Sequence, residues 1–221
     1  MKSFLAAAAI VAGFATSAQA ATLVAFDGVN GSSVAASEEA AGVTGFNLGR
    51  SIGLIQNSGN TFNSRGWDEG TDKASALANN NAIFWGLTID ANAPYDLTAL
   101  EIDYDRSGTG PTSLAIDLFI NGQNQGEIFS DPTVLDSGSQ TALVDLTAFK
   151  NVTGSVFFRL LAWGATSSLG TFDIENDLGN NRGIIVTGEV SPIPLPAGLP
   201  LMLLGLGGVA ALRMRKSRSP S

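Results

Sequence analysis

The stretch "TSLAIDLFINGQ", residues 112–123, alternates with a period of two. Leu114, Ile116, Leu118 and Ile120 fall on one side of an extended chain and Asp117 on the other, and Asn121-Gly122 then supplies a turn. Side chains alternate across a strand, so this pattern marks a strand buried on one face only. Its neighbours follow the same rule. "NAIFWGLTID" (81–90) places Ile83, Trp85, Leu87 and Ile89 together, and "LTALEIDYDR" (97–106) sets Leu100, Ile102 and Tyr104 against Glu101, Asp103 and Asp105. Between them and the opening stretch, "SGTGP" (107–111) reads as a hairpin turn joining two acidic-faced strands. "GSVFFRLLAWGA" (154–165) is apolar on both faces apart from Arg159, which predicts a central strand. "GTFDIEN" (170–176) and "GIIVTGEV" (183–190) predict two more. Only "DKASALANN" (72–80) offers a turn or two of helix, and residues 29–81 otherwise predict two or three short strands with long loops. The sum is an all-β chain, an antiparallel β-sandwich of the jelly-roll-like kind over residues 21–190.

The two ends have a different composition. "MKSFLAAAAIVAGFATSAQA" (1–20) has a basic start at Lys2, an apolar stretch, and Ala18 and Ala20 around Gln19. That is the small-x-small pattern of signal-peptidase cleavage and predicts a signal-peptide helix removed after Ala20. The C-terminal segment, "SPIPLPAGLPLMLLGLGGVAALRMRKSRSPS" (191–221), runs from a proline motif through uncharged residues 195–212 to Arg213, Arg215, Lys216 and Arg218. Eighteen such residues are about the length needed to span a bilayer. The basic end predicts a transmembrane helix with a cytoplasmic C-terminus. Three segments follow: signal peptide 1–20, exported domain 21–190 and C-terminal segment 191–221.

Removing the ends sharpens the charge. All 20 acidic residues lie in 21–190 with only 7 of the 12 basic ones, a net charge of −13. Nucleic acid is therefore no partner, because phosphate contacts need clustered Lys and Arg. Cysteine and histidine are both absent. That excludes disulfides, Ser-His-Asp and Cys-His catalysis, and His-ligated zinc. Any catalysis would fall to carboxylates, Lys, Tyr or a Ser-Lys pair.

The C-terminal "PIPLPAGLPLMLLGLGGVAALRMRK" resembles the VPLPA-type variant of the PEP-CTERM sorting signal. Its motif core is Pro194, Leu195, Pro196, Ala197 and Gly198, and Ile193 stands where Val is usual. The resemblance implies a Gram-negative envelope, an exosortase-type membrane protease as partner beside signal peptidase, membrane attachment that is at least transient, and removal of the tail. It also implies a surface or matrix protein linked to exopolysaccharide and biofilm. "GNTFNSRGW" (59–67), "DYDRSGTGP" (103–111) and "GTFDIEN" resemble the exported domains that precede such tails, which are similar to carbohydrate-binding-type jelly rolls.

Four candidate sites can be weighed on residue type. Asp27 at the end of the first strand, with Asp173, Glu175 and Asp177 near a late strand, could converge on a structural calcium, since calcium takes six to eight oxygens. No other cofactor is implied. Glu101, Asp103, Asp105 and Asp117 form an acidic ladder whose repulsion a cation or Arg106 could offset; the alternative is a solvated, solubilising edge. Trp67 in the polar loop "SRGWDEG", beside Arg65, could stack on a sugar ring; the alternative is that it folds back into the core. Finally, two carboxylates suffice in principle for a glycoside hydrolase. The leading expectation is a non-enzymatic surface or matrix protein, ahead of a calcium-stabilised carbohydrate-binding module and a carboxylate-dependent glycoside hydrolase.

Overall fold

The computed structural model describes residues 20–192. The predicted signal helix with Ala18, the motif from Pro194 to Gly198, the transmembrane helix and the basic cluster Arg213, Arg215, Lys216 and Arg218 all lie outside the described residues. Among the described residues no helix is long and apolar enough to cross a membrane.

The chain opens with β1 (Ala21–Asp27), β2 (Ser33–Val34), β3 (Glu38–Glu39), β4 (Val43–Arg50), β5 (Ile55–Gln56) and β6 (Phe62–Arg65). The short helix α1 (Lys73–Ala78) follows, then β7 (Ala82–Ile89), β8 (Tyr95–Arg106), β9 (Ser113–Ile120) and β10 (Gln123–Asp131). The last elements are β11 (Gln140–Asp145), β12 (Gly154–Trp163), β13 (Thr171–Ile174) and β14 (Arg182–Val190). All of these strand pairs are antiparallel, and they form two sheets.

The smaller sheet has the order β10-β9-β12-β7-β4-β2. The larger runs β3-β1-β14-β8-β13-β6-β5, with β11 on the other edge of β8. Strand β8 is long enough to hold two partners along one edge: β14 opposite residues 95–102 and β13 opposite residues 104–106. One core fills the space between the sheets. The residues predicted to face inward supply it: Ile83, Trp85, Leu87 and Ile89 from β7, Leu114, Ile116 and Leu118 from β9, and Leu100, Ile102 and Tyr104 from β8. Trp85 stacks on Phe158 of β12 at 5.5 Å between ring centroids.

The expected central strand is β12, flanked by β7 and β9. The hairpin expected at "SGTGP" is not there. β8 and β9 belong to different sheets, so residues 107–112 cross from one layer to the other. Tyr104 and Leu114 both face the shared core, and the chain can satisfy both only by arching over the end of the sandwich. Residues 29–81 hold more strand than expected, including the eight-residue β4, whose Gly45 and Gly49 weaken the apolar alternation that would reveal it. The helical turns of α1 form where "DKASALANN" predicts them. Asp72 caps the helix, its side chain accepting the Ser75 N–H at 2.8 Å.

Candidate functional site

The outer face of the smaller sheet carries the most concentrated chemistry. Residues directly opposite across antiparallel strands share a face, so register gives its rows. One row is Phe119 of β9, Phe157 of β12, Gly86 of β7 and Phe46 of β4. The next is Glu127 of β10, Asp117, Arg159, Phe84 and Gly49. The glycines make room for the rings. A Cβ on Gly49 would lie 2.8 Å from two Phe84 ring carbons, and one on Gly86 would lie 3.0 Å from Phe46 Cδ2. Phe157 lies 6.0 Å from both Phe84 and Phe119, centroid to centroid. Phe84, Phe119 and Phe157 are half-buried, and Phe46 is 39% exposed.

Helix α1 crosses this face above β12. Ala76 packs on Ala82 and Leu161, with Trp163 alongside. Lys73 is held by Asp117 at 2.5 Å and Glu127 at 2.9 Å, while Arg159 reaches the other Asp117 oxygen at 2.8 Å. Asp117 therefore sits beneath the helix and is buried, not on the solvated edge that the acidic ladder suggested. Burial alone would push its carboxyl up, but hydrogen bonds from Lys73 and Arg159 outweigh this and hold it below the ordinary range. The Arg159 guanidinium lies 4.9 Å above the Phe119 ring, and its Nε is buried without a partner.

Two cavities border α1. Leu77, 46% exposed, overhangs one of about 250 Å³ with Phe84, Phe157, Leu161, Arg159 and Ser51. Lys73 borders the other, about 350 Å³, with Trp163, Glu127, Asp131, Ser113 and Ser130.

The outer face of the larger sheet is polar. Asp105, Asp173 and Asn63 stand in one row across β8, β13 and β6. Burial, with Glu175 and Asp105 nearby, pushes the Asp173 carboxyl up to about 7, against the opposing pull of Arg50. The Glu175 carboxyl is raised by burial and by Asp105, Asp103 and Asp177. Asp103, expected on a solvated edge, is buried. Its carboxylate accepts from Ser139 Oγ at 2.7 Å, Thr141 Oγ1 at 3.3 Å and the Asp177 N–H at 3.0 Å. The segment after β13 has folded over it.

For the four calcium candidates, the backbone convergence expected of first and last strands is real: β1 pairs with β14, and Gly28 packs against the backbone of Ile174 and Glu175. The carboxylates do not follow it. Asp27 lies opposite Arg182 at the end of the β1 ladder, Asp177 is exposed, and no group of three acidic side chains among the described residues is placed to hold a metal ion.

Trp67 is not an exposed sugar platform. It is 2% exposed, meets Phe172 edge-on at 5.4 Å and donates its indole N–H to the Ser64 carbonyl at 2.8 Å. Gly66, at φ +87°, turns the chain inward just before it. Arg65 stays half-exposed on the ladder with Thr171, so the two are not brought together as a binding pair. The residues missed on the smaller sheet had a signal in the sequence: Phe84, Phe119 and Phe157 occupy the phase of their strands where a polar residue belongs. A strand apolar on both faces suggested double burial, whereas only a six-residue helix partly covers the second face.

No protein-family model matches the chain, and no curated protein does. Among solved structures, it is similar to a carbohydrate-binding module of family 29, at 12% identity and a TM-score of 0.41 over 78% of this chain and 91% of that one. A family 29 module from Piromyces equi is similar at 8% identity and a TM-score of 0.41, over 81% and 96%. Identity and TM-scores this low carry no function from one chain to the other.

Proposed function

We propose that this chain is a non-enzymatic exported protein of the cell surface or extracellular matrix, delivered by its N-terminal signal and processed at its C-terminal sorting signal by an exosortase-type membrane protease. On this reading it works among exopolysaccharide, as a component of the envelope or biofilm. The observation that carries the proposal is how the sandwich ends. β1 begins at Ala21, immediately after the predicted signal cleavage, and the last strand closes at Val190. Ser191 then ties off the fold. Its N–H donates to the Pro94 carbonyl at 2.9 Å and its hydroxyl to Asp96 Oδ1 at 2.5 Å. All 14 strands of the described residues lie before the proline motif, so cutting at the motif removes none of the described sandwich.

Intact-mass analysis of the protein recovered from host envelope and medium tests this. The expected mature form begins at Ala21 and lacks Arg213, Arg215, Lys216 and Arg218. A surface form that keeps the basic cluster would overturn the processing step.

A further inference from the structure

We propose that the outer face of the smaller sheet binds a neutral polysaccharide chain, seated in the cavity formed by Phe84, Phe157, Leu77 and Arg159 and continuing to Trp163 across α1. The inference rests on the reading that the protein works among exopolysaccharide, and it names the site and the class of glycan.

Three observations select this occupant. The first is the mixture of groups. A sugar ring offers apolar C–H faces and a rim of hydroxyls, and it is best held by aromatic rings beside a few polar groups. The Leu77 cavity supplies Phe84 and Phe157 with Arg159 and Ser51; the Lys73 cavity supplies Trp163 with Glu127, Asp131, Ser113 and Ser130. A lipid chain or an apolar peptide would leave these charged groups facing hydrocarbon, at a desolvation cost. The second is the Arg159 guanidinium, which lines the Leu77 cavity on a side chain 25% exposed and spends Nη2 on Asp117. Its exposed side can donate to a sugar hydroxyl oxygen in that cavity. The third is charge. The exported domain carries −13, so a polyanionic polysaccharide is repelled at long range while a neutral one is not. The glycines fit the same picture: Gly49 and Gly86 let Phe84 and Phe46 lie across neighbouring strands, leaving low relief in place of upright knobs.

The test is affinity electrophoresis of the full chain in detergent and of the mature protein from the host. The gels contain hydroxyethylcellulose, galactomannan, the host's own exopolysaccharide or, as a polyanion, alginate. The expected result is retardation by at least one neutral polysaccharide, unchanged by salt, and none by alginate. Phe157→Ala should weaken it by about tenfold, the scale of one lost aromatic contact. Because Phe157 also packs on Phe84 and Phe119, Leu77→Glu is the fold-preserving companion: Leu77 is exposed on a helix, and Glu there obstructs the cavity without opening the core. Wild-type mobility of both variants in a gel that retards the parent would overturn the site, as would retardation by alginate alone or by nothing. Dimers of the parent that Leu77→Glu converts to monomers would also overturn it, by making the face a contact between copies. None of these failures affects the mass of the mature form, so the site and the processing proposal fail separately.

Discussion

Asp173 is a carboxylate placed where charge is expensive. It stands opposite Asp105, with Glu175 two residues on along the chain, and its Oδ1 is buried and unpaired. A carboxyl raised to about 7 in the fold still titrates near 4 in the unfolded chain. Between those values the folded state holds a proton that the unfolded state has released. Stability therefore falls as pH rises from about 4 to about 7 and is flat beyond. Asp173→Asn should remove that slope. We expect it to raise stability by roughly 2 kcal/mol at pH 8 and to change little at pH 4.5, as read by urea melts at the two pH values. An Asn variant no more stable at pH 8 would mean that Asp173 is relieved by solvent or a cation. Millimolar calcium offers a direct check: a clear rise in melting temperature that Asp173→Asn abolishes would assign a cation to this row.

At the scale of an element, α1 is too short to be stable alone; a helix of six residues is held by its packing. It is pinned by the Asp72 cap, by Ala76 on Leu161, and by Lys73 on Asp117. Asp117 also anchors Arg159, so it ties helix to sheet. Asp117→Ala would leave Arg159 without its counter-charge and Lys73 with Glu127 alone. We expect a loss of about 2–4 kcal/mol, with the largest rise in hydrogen exchange at residues 72–80. Asp117 is depressed in the fold, so its contribution is present above about pH 4 and is lost as acid protonates it. Unfolding midpoints of wild type and Asp117→Ala should converge below that pH. α1 was legible in the sequence from its cap and its Ala-Ser-Ala-Leu-Ala run, but its seat was not: nothing local to residues 72–80 says that Lys73 meets a carboxylate 44 residues later.

For the whole molecule, the tie at the end of β14 closes the sandwich at Ser191. The Ser191 hydroxyl and the Asn151 N–H hold the Asp96 carboxyl below its usual range, with Lys150 adding to the effect. Removing residues 192–221 should leave the melting temperature of the sandwich within about 2 °C of its original value, a change of no more than about 1 kcal/mol. Ser191→Ala, by contrast, should loosen the end of β14, visible as faster exchange of the residue-191 amide that donates to the Pro94 carbonyl. A truncated domain that melts much earlier would mean that the tail takes part in the fold.

Strand phase and the inward faces of β7, β8, β9 and β12 were determined by the sequence itself, because alternation is a property of neighbouring residues along one chain. So was the chemistry excluded by the lack of His and Cys. The central place of β12 was legible for the same reason: a run apolar on both sides cannot sit at an edge. Tertiary structure alone decided which sheet each strand joins. β8 and β9 look like a hairpin and are not, since sheet membership depends on pairings made far away in the chain. It also decided which polar residues are buried. Asp103 and Asp117 have the sequence signature of a wet edge and become buried anchors, because a distant loop and a short helix come to rest on them. Trp67 leaves the surface because one glycine turns the chain inward, and the phenyl rings of the smaller sheet remain accessible because the helix above them is only six residues long.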